Sequence, residues 1–209
     1  MHGSLKITRR RGGQVLSFVT GLIASVSASA NPQGAQVVSG SAVFANPTPQ
    51  TLEITNSPAA VLNWQSFDIG KGETTRFIQQ NAASAVLNRV TTGNSSEILG
   101  SLVSNGHVFL INPAGILIGR DGSVDTAGVV LSTLQINDQD FLAGKFRFEG
   151  DATSGTITNH GYIKTAPGGE VVLIAPRIEN IPEAGRAKSG LIESPNGDLI
   201  LAAGSAITI

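Results

Sequence analysis

Gly161-Tyr-Ile-Lys-Thr165, Val171-Val-Leu-Ile-Ala175 and Arg177-Ile-Glu-Asn180 are three short apolar segments, and the next stretch of chain repeats their pattern. The second set consists of Gly190-Leu-Ile-Glu-Ser194, Leu199-Ile-Leu-Ala-Ala203 and Ala206-Ile-Thr-Ile209. Equivalent residues are 29 positions apart at Gly161 and Gly190, and 28 apart at Val171 and Leu199. Gly, Pro or Asn separates the segments, so each set predicts three strands joined by tight corners.

A unit of three short strands cannot bury an apolar face alone, so successive units must stack on one another. Three strands per turn, repeated along the chain, predict a parallel β-helix. The inward side chains of neighbouring coils then form ladders, with Val171 over Leu199 and Leu173 over Leu201. A β-sandwich with accidental similarity between its strands is the alternative.

The rest of the chain also favours strands. Residues Gln36–Ala45 are predicted to form one strand, ended by Asn46-Pro47-Thr48-Pro49. One helix is expected over Ser95–Val103, where Ile98, Leu99 and Leu102 give the i, i+1 and i+4 positions of an apolar helical stripe. From His107 onward, the pattern predicts short strands and turns only.

The composition fits an all-β protein. Of 209 residues, 14% are charged and 5% aromatic, and 25 are Gly; an average soluble domain has about 25% charged residues and about 7% Gly. With 41% apolar residues and a net charge of −1, the chain is not of the disordered class. It has no Cys, which excludes disulfides, cysteine-ligated zinc and a thiol nucleophile.

The N-terminal region has the pattern of a secretory signal peptide. Four basic residues begin it: Lys6, Arg9, Arg10 and Arg11. The apolar stretch Val15–Val26 and then Ala28-Ser29-Ala30 follow, which is the expected order of regions. Residues 1–30 are therefore predicted to be the signal peptide, cleaved between Ala30 and Asn31. An amphipathic or membrane-anchoring helix is the alternative, although twelve apolar residues are too few for a bilayer core that needs ~20.

Charge argues against nucleic-acid binding by the mature chain. Without the four basic residues of the leader, ten basic residues remain against fifteen acidic ones, a net charge of −5. No basic cluster stands in residues 31–209, so no nucleic-acid partner is expected.

No catalytic, metal or cofactor site is expected. Neither His107 nor His160 stands in a nucleophile motif, and no His cluster has metal-ligand spacing. A β-helical polysaccharide-active enzyme is a minor alternative, because such enzymes use a pair of carboxylates. The two candidate pairs are Asp121 with Asp125, which flank a turn, and Asp138 with Asp140, which are predicted to share one strand face. The second pair does not form an EF-hand calcium loop, because Ala143 occupies the position that requires Gly.

The most distinctive string is Asn112-Pro113-Ala114-Gly115-Ile116, between two apolar runs. Asn112 can cap a turn with its side chain, Pro113 presets φ at the second position, and Gly115 suits the fourth. The string therefore predicts a tight corner between two buried strands.

This string resembles the Asn-Pro-Asn-Gly-Ile motif of the two-partner secretion domain, which opens filamentous-haemagglutinin-type exoproteins and adhesins of Gram-negative bacteria. Further blocks occur in the order typical of that family: Leu62–Ile69, Ser84–Thr91, Ile98–Ser101, Ser104–Leu110, Leu131–Leu134 and Phe141–Gly144. The resemblance covers nearly all of residues 31–209. One departure is Ala114, where the family has Asn; Ala tolerates positive φ poorly, so it favours a type I turn.

The resemblance implies a right-handed parallel β-helix with an N-terminal cap and small extra-helical β elements. It also implies that residues 31–209 address an exoprotein, exported by the general secretory machinery through the periplasm, to an outer-membrane transporter with POTRA domains. The expected destination is the cell surface or the medium. The expected recognition residues are Asn112, Pro113, Gly115 and Ile116, with Asn63, Trp64, Asn88 and Arg89 in support.

Two further expectations concern the whole protein. The chain ends inside an apolar strand at Ile209, and solenoids need polar caps, so it is expected to be the N-terminal part of a longer exoprotein. A host or matrix ligand would then bind through downstream regions. The alternative function is a carbohydrate-binding adhesin module, although Trp64 and Tyr162 are the only Trp and Tyr.

Overall fold

The computed structural model describes residues 30–150 and 153–209, so residues 1–29 of the predicted signal peptide lie outside the described residues. The strands of the first half are β1 (Gln36–Ser39), β2 (Ala42–Thr48), β3 (Thr51–Asn56), β4 (Ala60–Trp64), β5 (Thr74–Ile78), β6 (Ala85–Val90), β7 (Ser96–Ile98), β8 (Ser101–Ser104) and β9 (His107–Ile111). The second half contains β10 (Ile116–Ile118), β11 (Ser123–Thr126), β12 (Gly128–Ser132), β13 (Gln135–Ile136), the helix α1 (Asp138–Leu142), β14 (Arg147–Glu149), β15 (Thr156–Asn159), β16 (Tyr162–Thr165), β17 (Val171–Ala175), β18 (Arg177–Asn180), β19 (Leu191–Glu193), β20 (Leu199–Ala203) and β21 (Ala206–Thr208).

Most strands belong to three sheets that the chain visits in turn. Sheet I has the order β1-β4-β6-β9-β12-β17-β20, sheet II has β18-β15-β10-β7, and sheet III has β19-β16-β11-β8-β5-β3-β2. Ala85 pairs with His107, and His107 pairs with Gly128, in parallel, so a regular coil advances 21 or 22 residues. The fold is the predicted parallel β-helix, and the β-sandwich alternative is wrong.

The sequence repeat is confirmed in two of its three strands. Val171 pairs with Leu199 and Leu173 with Leu201, as predicted. The third equivalence is wrong, because β21 does not stack on β18; it pairs antiparallel with β14, with Ile207 beside Phe148. The physical reason is that Ile207 packs into an apolar cluster on the outside of the coils.

The interior of the coils contains a ladder of apolar side chains. Leu110, Leu131 and Leu173 are neighbours in register on sheet I, and all three are fully buried. Burying a Leu side chain contributes roughly 1.5–3 kcal/mol. Stacking the coils therefore supplies the hydrophobic driving force that no single coil has.

A second apolar cluster covers the outer face of sheet I. Strands β13, β14 and β21 form a small antiparallel sheet, and this sheet and α1 place their apolar side chains on that face. The cluster contains Phe109, Ile111, Val130, Phe141, Phe148 and other buried residues. These are the expected extra-helical elements. The helix begins with Asn137 as N-cap, whose side chain accepts a hydrogen bond from Gln139 N.

The N-terminal end of the β-helix is capped by antiparallel strands, as expected. Strand β1 pairs with β4 at the edge of sheet I, and β2 pairs with β3 at the edge of sheet III. The single strand predicted over residues 36–45 is therefore two strands. The chain bends between them at Gly40, which has a φ of 77°.

The predicted helix over residues 95–103 is wrong. Ile98 and Leu102 are both fully buried, but they belong to β7 and β8 on either side of a corner at Gly100. A Cβ at Gly100 would lie 2.3 Å from Gly70 O and Glu73 O. A strand, a corner and a second strand thus reproduce apolar helical spacing. Across the described residues, no helix has the length and apolar character needed to cross a membrane.

Candidate functional site

The string Asn112–Ile116 forms the predicted tight corner between β9 and β10. Gly115 N donates to Asn112 O at 3.1 Å, which closes a β-turn, and Ala114 N donates to Asn112 Oδ1 at 3.0 Å. Among the described residues other than Gly, only Ala59 and Asn196 have positive φ. Ala114 therefore does not adopt the positive φ that a type II turn requires.

The side chain of Asn112 is completely engaged inside the protein. Its Nδ2 donates to Ser96 Oγ at 2.9 Å and to Asn94 O at 3.0 Å. With Oδ1 bound to Ala114 N, both donors and an acceptor of the amide are used. Asn112 is 0% exposed, so this side chain joins two coils and does not face solvent in the folded protein.

Other atoms of the corner are fixed to the next coil. Asn112 N donates to Ser132 O at 2.9 Å, and Gly155 N donates to Pro113 O at 2.7 Å. Gly115 has a φ of 127° and its missing Cβ would lie 3.3 Å from Thr156 O. Ile116 points into the core and is buried. Only Pro113 and Ala114 remain half-exposed at the corner.

An open groove of about 640 Å³ lies beside this corner. Ala114 and Asn94 line one part of it, and Asp68, Glu97 and Ala30 line the rest. Asp68 Oδ1 accepts a 2.9 Å hydrogen bond from Glu97 N, which covers the edge of β7. The groove therefore connects the corner with the start of the described chain.

The two predicted cleavage residues lie at that start. Ala30 N donates to both carboxylate oxygens of Glu73, at 3.0 and 3.1 Å. Asn31 is only 3% exposed, and its Oδ1 accepts from Thr75 Oγ1 at 3.0 Å. Cleavage itself stays a prediction.

Two of the four supporting residues meet inside the coils. Trp64 Nε1 donates to Asn88 Oδ1 at 3.0 Å, and Asn88 Nδ2 donates to Phe109 O at 3.3 Å. Asn88 occupies a position in the Leu ladder, between Leu62 and Leu110. Because Trp64 is 1% exposed, it cannot serve as a platform for a sugar in the folded domain.

The other two supporting residues lie on the outer face of sheet I. Arg89 contacts Asn63 Oδ1 at 3.5 Å, donates to Ile136 O at 2.7 Å, and pairs with Asp138 at 2.7 Å. The guanidinium therefore fastens β13 and α1 to the coils. These four residues do not converge on the corner, and a role for them in recognition stays a prediction.

Sequence reasoning missed the partners of the corner and of the N-terminal segment. Ser96 and Asn94 bind the Asn112 amide, and Glu73 binds residue 30. A polar Ser at an inward position of a strand was the available signal for Ser96. Nothing in the local sequence around Glu73 indicates a contact 43 residues away.

The carboxylates considered for an enzyme are occupied elsewhere. Asp121 pairs with Arg186 at 2.8 Å and with Lys71 at 3.5 Å; the hydrogen bond from Arg186 is the main cause that holds the pKa of Asp121 below its usual value. Asp138 and Asp140 do not share a strand face as predicted, because both belong to the N-capped helix α1. No group of His, Asp and Glu in the described part of the chain has the geometry of a metal site.

One tyrosine has an altered pKa. The hydroxyl of Tyr162 donates to Glu193, and this hydrogen bond is the main cause that raises the pKa of Tyr162 to about 12. Lys188 Nζ lies 4.7 Å from the centre of the Tyr162 ring. The ring is therefore covered on one face, and it lies on sheet III, outside the corner at Asn112.

Comparisons with known proteins concern the family and the fold of the chain. The family model described as "TPS secretion domain" matches residues 28–208. The heme/hemopexin-binding protein of Haemophilus influenzae is 38% identical to this chain over 102 residues, and a second protein of that name is 36% identical over 103 residues. Each alignment covers 49% of this chain and 11% of the relative, so the matched part of the chain spans about a tenth of the length of these relatives.

Two solved structures are similar. The HMW1 secretion domain from Haemophilus influenzae matches with a TM-score of 0.76 and 38% identity, over 86% of this chain and 46% of that one. The filamentous hemagglutinin secretion domain matches with a TM-score of 0.53 and 16% identity, over 87% of this chain and 65% of that one. At 16% identity, the second likeness concerns the fold alone.

Proposed function

The chain belongs to the family of TPS, or two-partner secretion, domains and directs the secretion of an exoprotein, and from this premise we propose how it does so. The segment Asn112–Ile116 is recognised by a cognate outer-membrane transporter, and residues 31–209 then fold as the exoprotein emerges at the cell surface. The full-length protein acts at the surface or in the medium.

The burial of Asn112 is the observation that carries the proposal. In the folded domain the Asn112 amide is fully bonded to Ser96, Asn94 and Ala114, so a transporter cannot contact it. Recognition of this side chain therefore takes place before the coils close. An extended segment can add as a strand to the edge of a POTRA sheet, because main-chain hydrogen bonds supply affinity and side-chain pockets supply specificity.

Folding after recognition contributes a driving force for export. Each coil that forms buries apolar side chains such as Leu110, Leu131 and Leu173 against the coil before it. That burial is favourable without any nucleotide. A chain that folds coil by coil at the surface consequently resists sliding back.

The leader provides the earlier step. Residues 1–30 direct the chain through the inner membrane by the general secretory machinery and are removed between Ala30 and Asn31 in the periplasm. The sequence pattern of a basic start, an apolar stretch and Ala28-Ser29-Ala30 supports this step.

The experiment is secretion of tagged residues 1–209, with and without the partner transporter, for the unchanged chain and for Asn112→Ile. We expect the unchanged chain to accumulate in the medium only with the transporter, and Asn112→Ile to stay in the periplasm. Accumulation in the medium without a transporter would contradict the proposal.

The matched control is Asn159→Ile. Asn159 is also fully buried, its Oδ1 accepts from Gly161 N at 3.0 Å, and its Nδ2 donates to Asn180 Oδ1 at 2.8 Å. Both substitutions thus remove a corner amide that joins coils, but only one lies in the proposed recognition segment. If secretion falls equally for both variants, the Asn112 effect is one of folding and the recognition role is wrong.

A further inference from the structure

The carboxylate of Glu73 is arranged around the backbone nitrogen of residue 30. Both of its oxygens accept from Ala30 N, at 3.0 and 3.1 Å, and Oε2 also accepts from Gly70 N at 2.9 Å. Glu73 N donates to Gly70 O at 2.9 Å, so the residues close a turn. Two oxygens that converge on one nitrogen form the arrangement that suits an ammonium group better than an amide.

The turn that carries Glu73 is held rigidly by the next coil. Ser101 N donates to Glu73 O at 2.9 Å. Gly100 lies so close that a Cβ there would be 2.3 Å from Glu73 O and Gly70 O. The carboxylate is therefore positioned before any partner binds it.

The chain immediately after residue 30 is also docked. Asn31 and Pro32 are buried, and Asn31 Oδ1 accepts from Thr75 Oγ1. Gln33 N donates to Ser66 O at 2.9 Å, and Gln65 N donates to Gln33 O at 3.0 Å. The start of residues 31–209 thus has a fixed place next to Glu73.

Glu73 has no cationic side chain as a partner in the part of the chain that the structure describes. The Lys and Arg residues with ion pairs there contact other carboxylates: Asp121, Glu53, Asp138, Glu183, Glu149 and Glu179. A carboxylate directed at the main chain, with no side-chain cation beside it, therefore lies where the proposed processing creates a positive charge.

We infer that Glu73 is the counter-ion of the α-ammonium group of the processed chain. This rests on the proposed removal of the leader: hydrolysis of the Ala30–Asn31 peptide bond by one water leaves a carboxylate on Ala30 and an ammonium on Asn31. Successive Cα atoms are about 3.8 Å apart, so this ammonium forms one residue beyond Ala30 N, and a rotation of the Glu73 side chain brings the carboxylate to it while Asn31 and Gln33 stay docked. An amide hydrogen bond is replaced by an ion pair.

The consequence is that the N-terminal cap responds to processing. In the unprocessed chain, Glu73 binds a neutral amide; in the processed chain, it binds a charged terminus. The cap is therefore held more firmly once the leader has been removed.

The test uses the processed chain purified from the periplasm of cells that express residues 1–209 without a transporter. Mass spectrometry of the intact protein identifies its first residue, which we expect to be Asn31. The rate at which an amine-reactive acylating agent modifies the α-amino group at neutral pH is then compared with the rate for Glu73→Gln. Because only the uncharged amine reacts and the ion pair disfavours it, we expect several-fold faster modification in Glu73→Gln.

Glu97→Gln is the matched control, since Glu97 lines the same groove and its carboxylate makes no ion pair with another described residue. We expect its labelling rate to equal that of the unchanged chain.

Thermal unfolding gives a second readout: acylation of the terminus should lower the Tm of the unchanged chain by about 1–4 °C and leave that of Glu73→Gln unchanged. Equal labelling rates and equal Tm shifts would overturn the inference alone. A first residue other than Asn31 would overturn both the inference and the proposed cleavage site. Neither result depends on recognition by a transporter, which the secretion experiment measures.

Discussion

The side-chain amide of Asn112 donates a 2.9 Å hydrogen bond to Ser96 Oγ on the preceding coil. The same amide shapes its own corner through the contact between Oδ1 and Ala114 N. One side chain therefore sets both the local turn and the stacking of two coils. A residue of the proposed recognition segment is thus also an internal connection of the folded domain.

The first prediction concerns this connection. Asn112→Asp keeps the shape and the Oδ1 acceptor but replaces the Nδ2 donor by a second acceptor, which leaves Ser96 Oγ and Asn94 O without it. We expect the free energy of unfolding to fall by about 1–3 kcal/mol, measured by urea denaturation.

Ala114→Asn is its control, because Ala114 is half-exposed and its side chain is a methyl group, which forms no hydrogen bond. We expect this change to stay within about 0.5 kcal/mol of the unchanged chain. Equal stability of both variants would mean that the Asn112 donors contribute nothing.

A second prediction tests the packing of the corners. A Cβ at Gly122 would lie 2.0 Å from Ile98 O, and a main-chain oxygen cannot move aside cheaply. We expect Gly122→Ala to destabilise the domain by about 1–3 kcal/mol or more. Gly93→Ala is the comparison, because no atom lies within 4 Å of its Cβ position; we expect no loss of stability there. Thermal denaturation measures the stability of both variants. A loss of stability of similar size in both would contradict the packing argument.

A third prediction concerns the attachment of the outer elements. Asp138→Asn weakens the 2.7 Å ion pair with Arg89, so amide hydrogen exchange should become faster in residues 135–149 and stay unchanged in β9, β12 and β17. Asp140→Asn removes an acidic residue from the same first helical turn without touching Arg89. If both variants exchange alike, helix electrostatics rather than the ion pair holds these elements.

A fourth prediction is a titration. The chain contains one Tyr, so the ultraviolet absorbance of tyrosinate reports Tyr162 alone. We expect a midpoint near pH 12, where the hydrogen bond to Glu193 places the pKa, and a midpoint closer to 10 in Glu193→Gln. Because the folded-state pKa is raised, the contribution of Tyr162 to stability is fully present below pH 10 and is lost as the pH rises through 12. A midpoint near 10 in the unchanged chain would contradict the hydrogen bond.

Some elements of the fold could be predicted from the sequence, and others could not. The register of Val171 on Leu199 followed from matching local patterns, and the structure has it. The helix predicted over residues 95–103 failed because the inward residues of two strands around Gly100 repeat with the spacing of a helix. The destination of β21 failed because Ile207 could bury its side chain in either of two apolar clusters, and only the positions of Phe148 and Phe146 on the assembled coils select one.

The sequence by itself determined the β-helical fold, the tight corner at Asn112–Ile116 and the resemblance to two-partner secretion domains, because strand periodicity and turn chemistry are local properties of the chain. Tertiary structure alone decided that the Asn112 amide binds Ser96, that Trp64 reaches Asn88, and that Glu73 holds Ala30. Those contacts join residues 16, 24 and 43 positions apart. Such pairs become neighbours only when the coils stack, and the order of stacking depends on where every apolar side chain finds its partner.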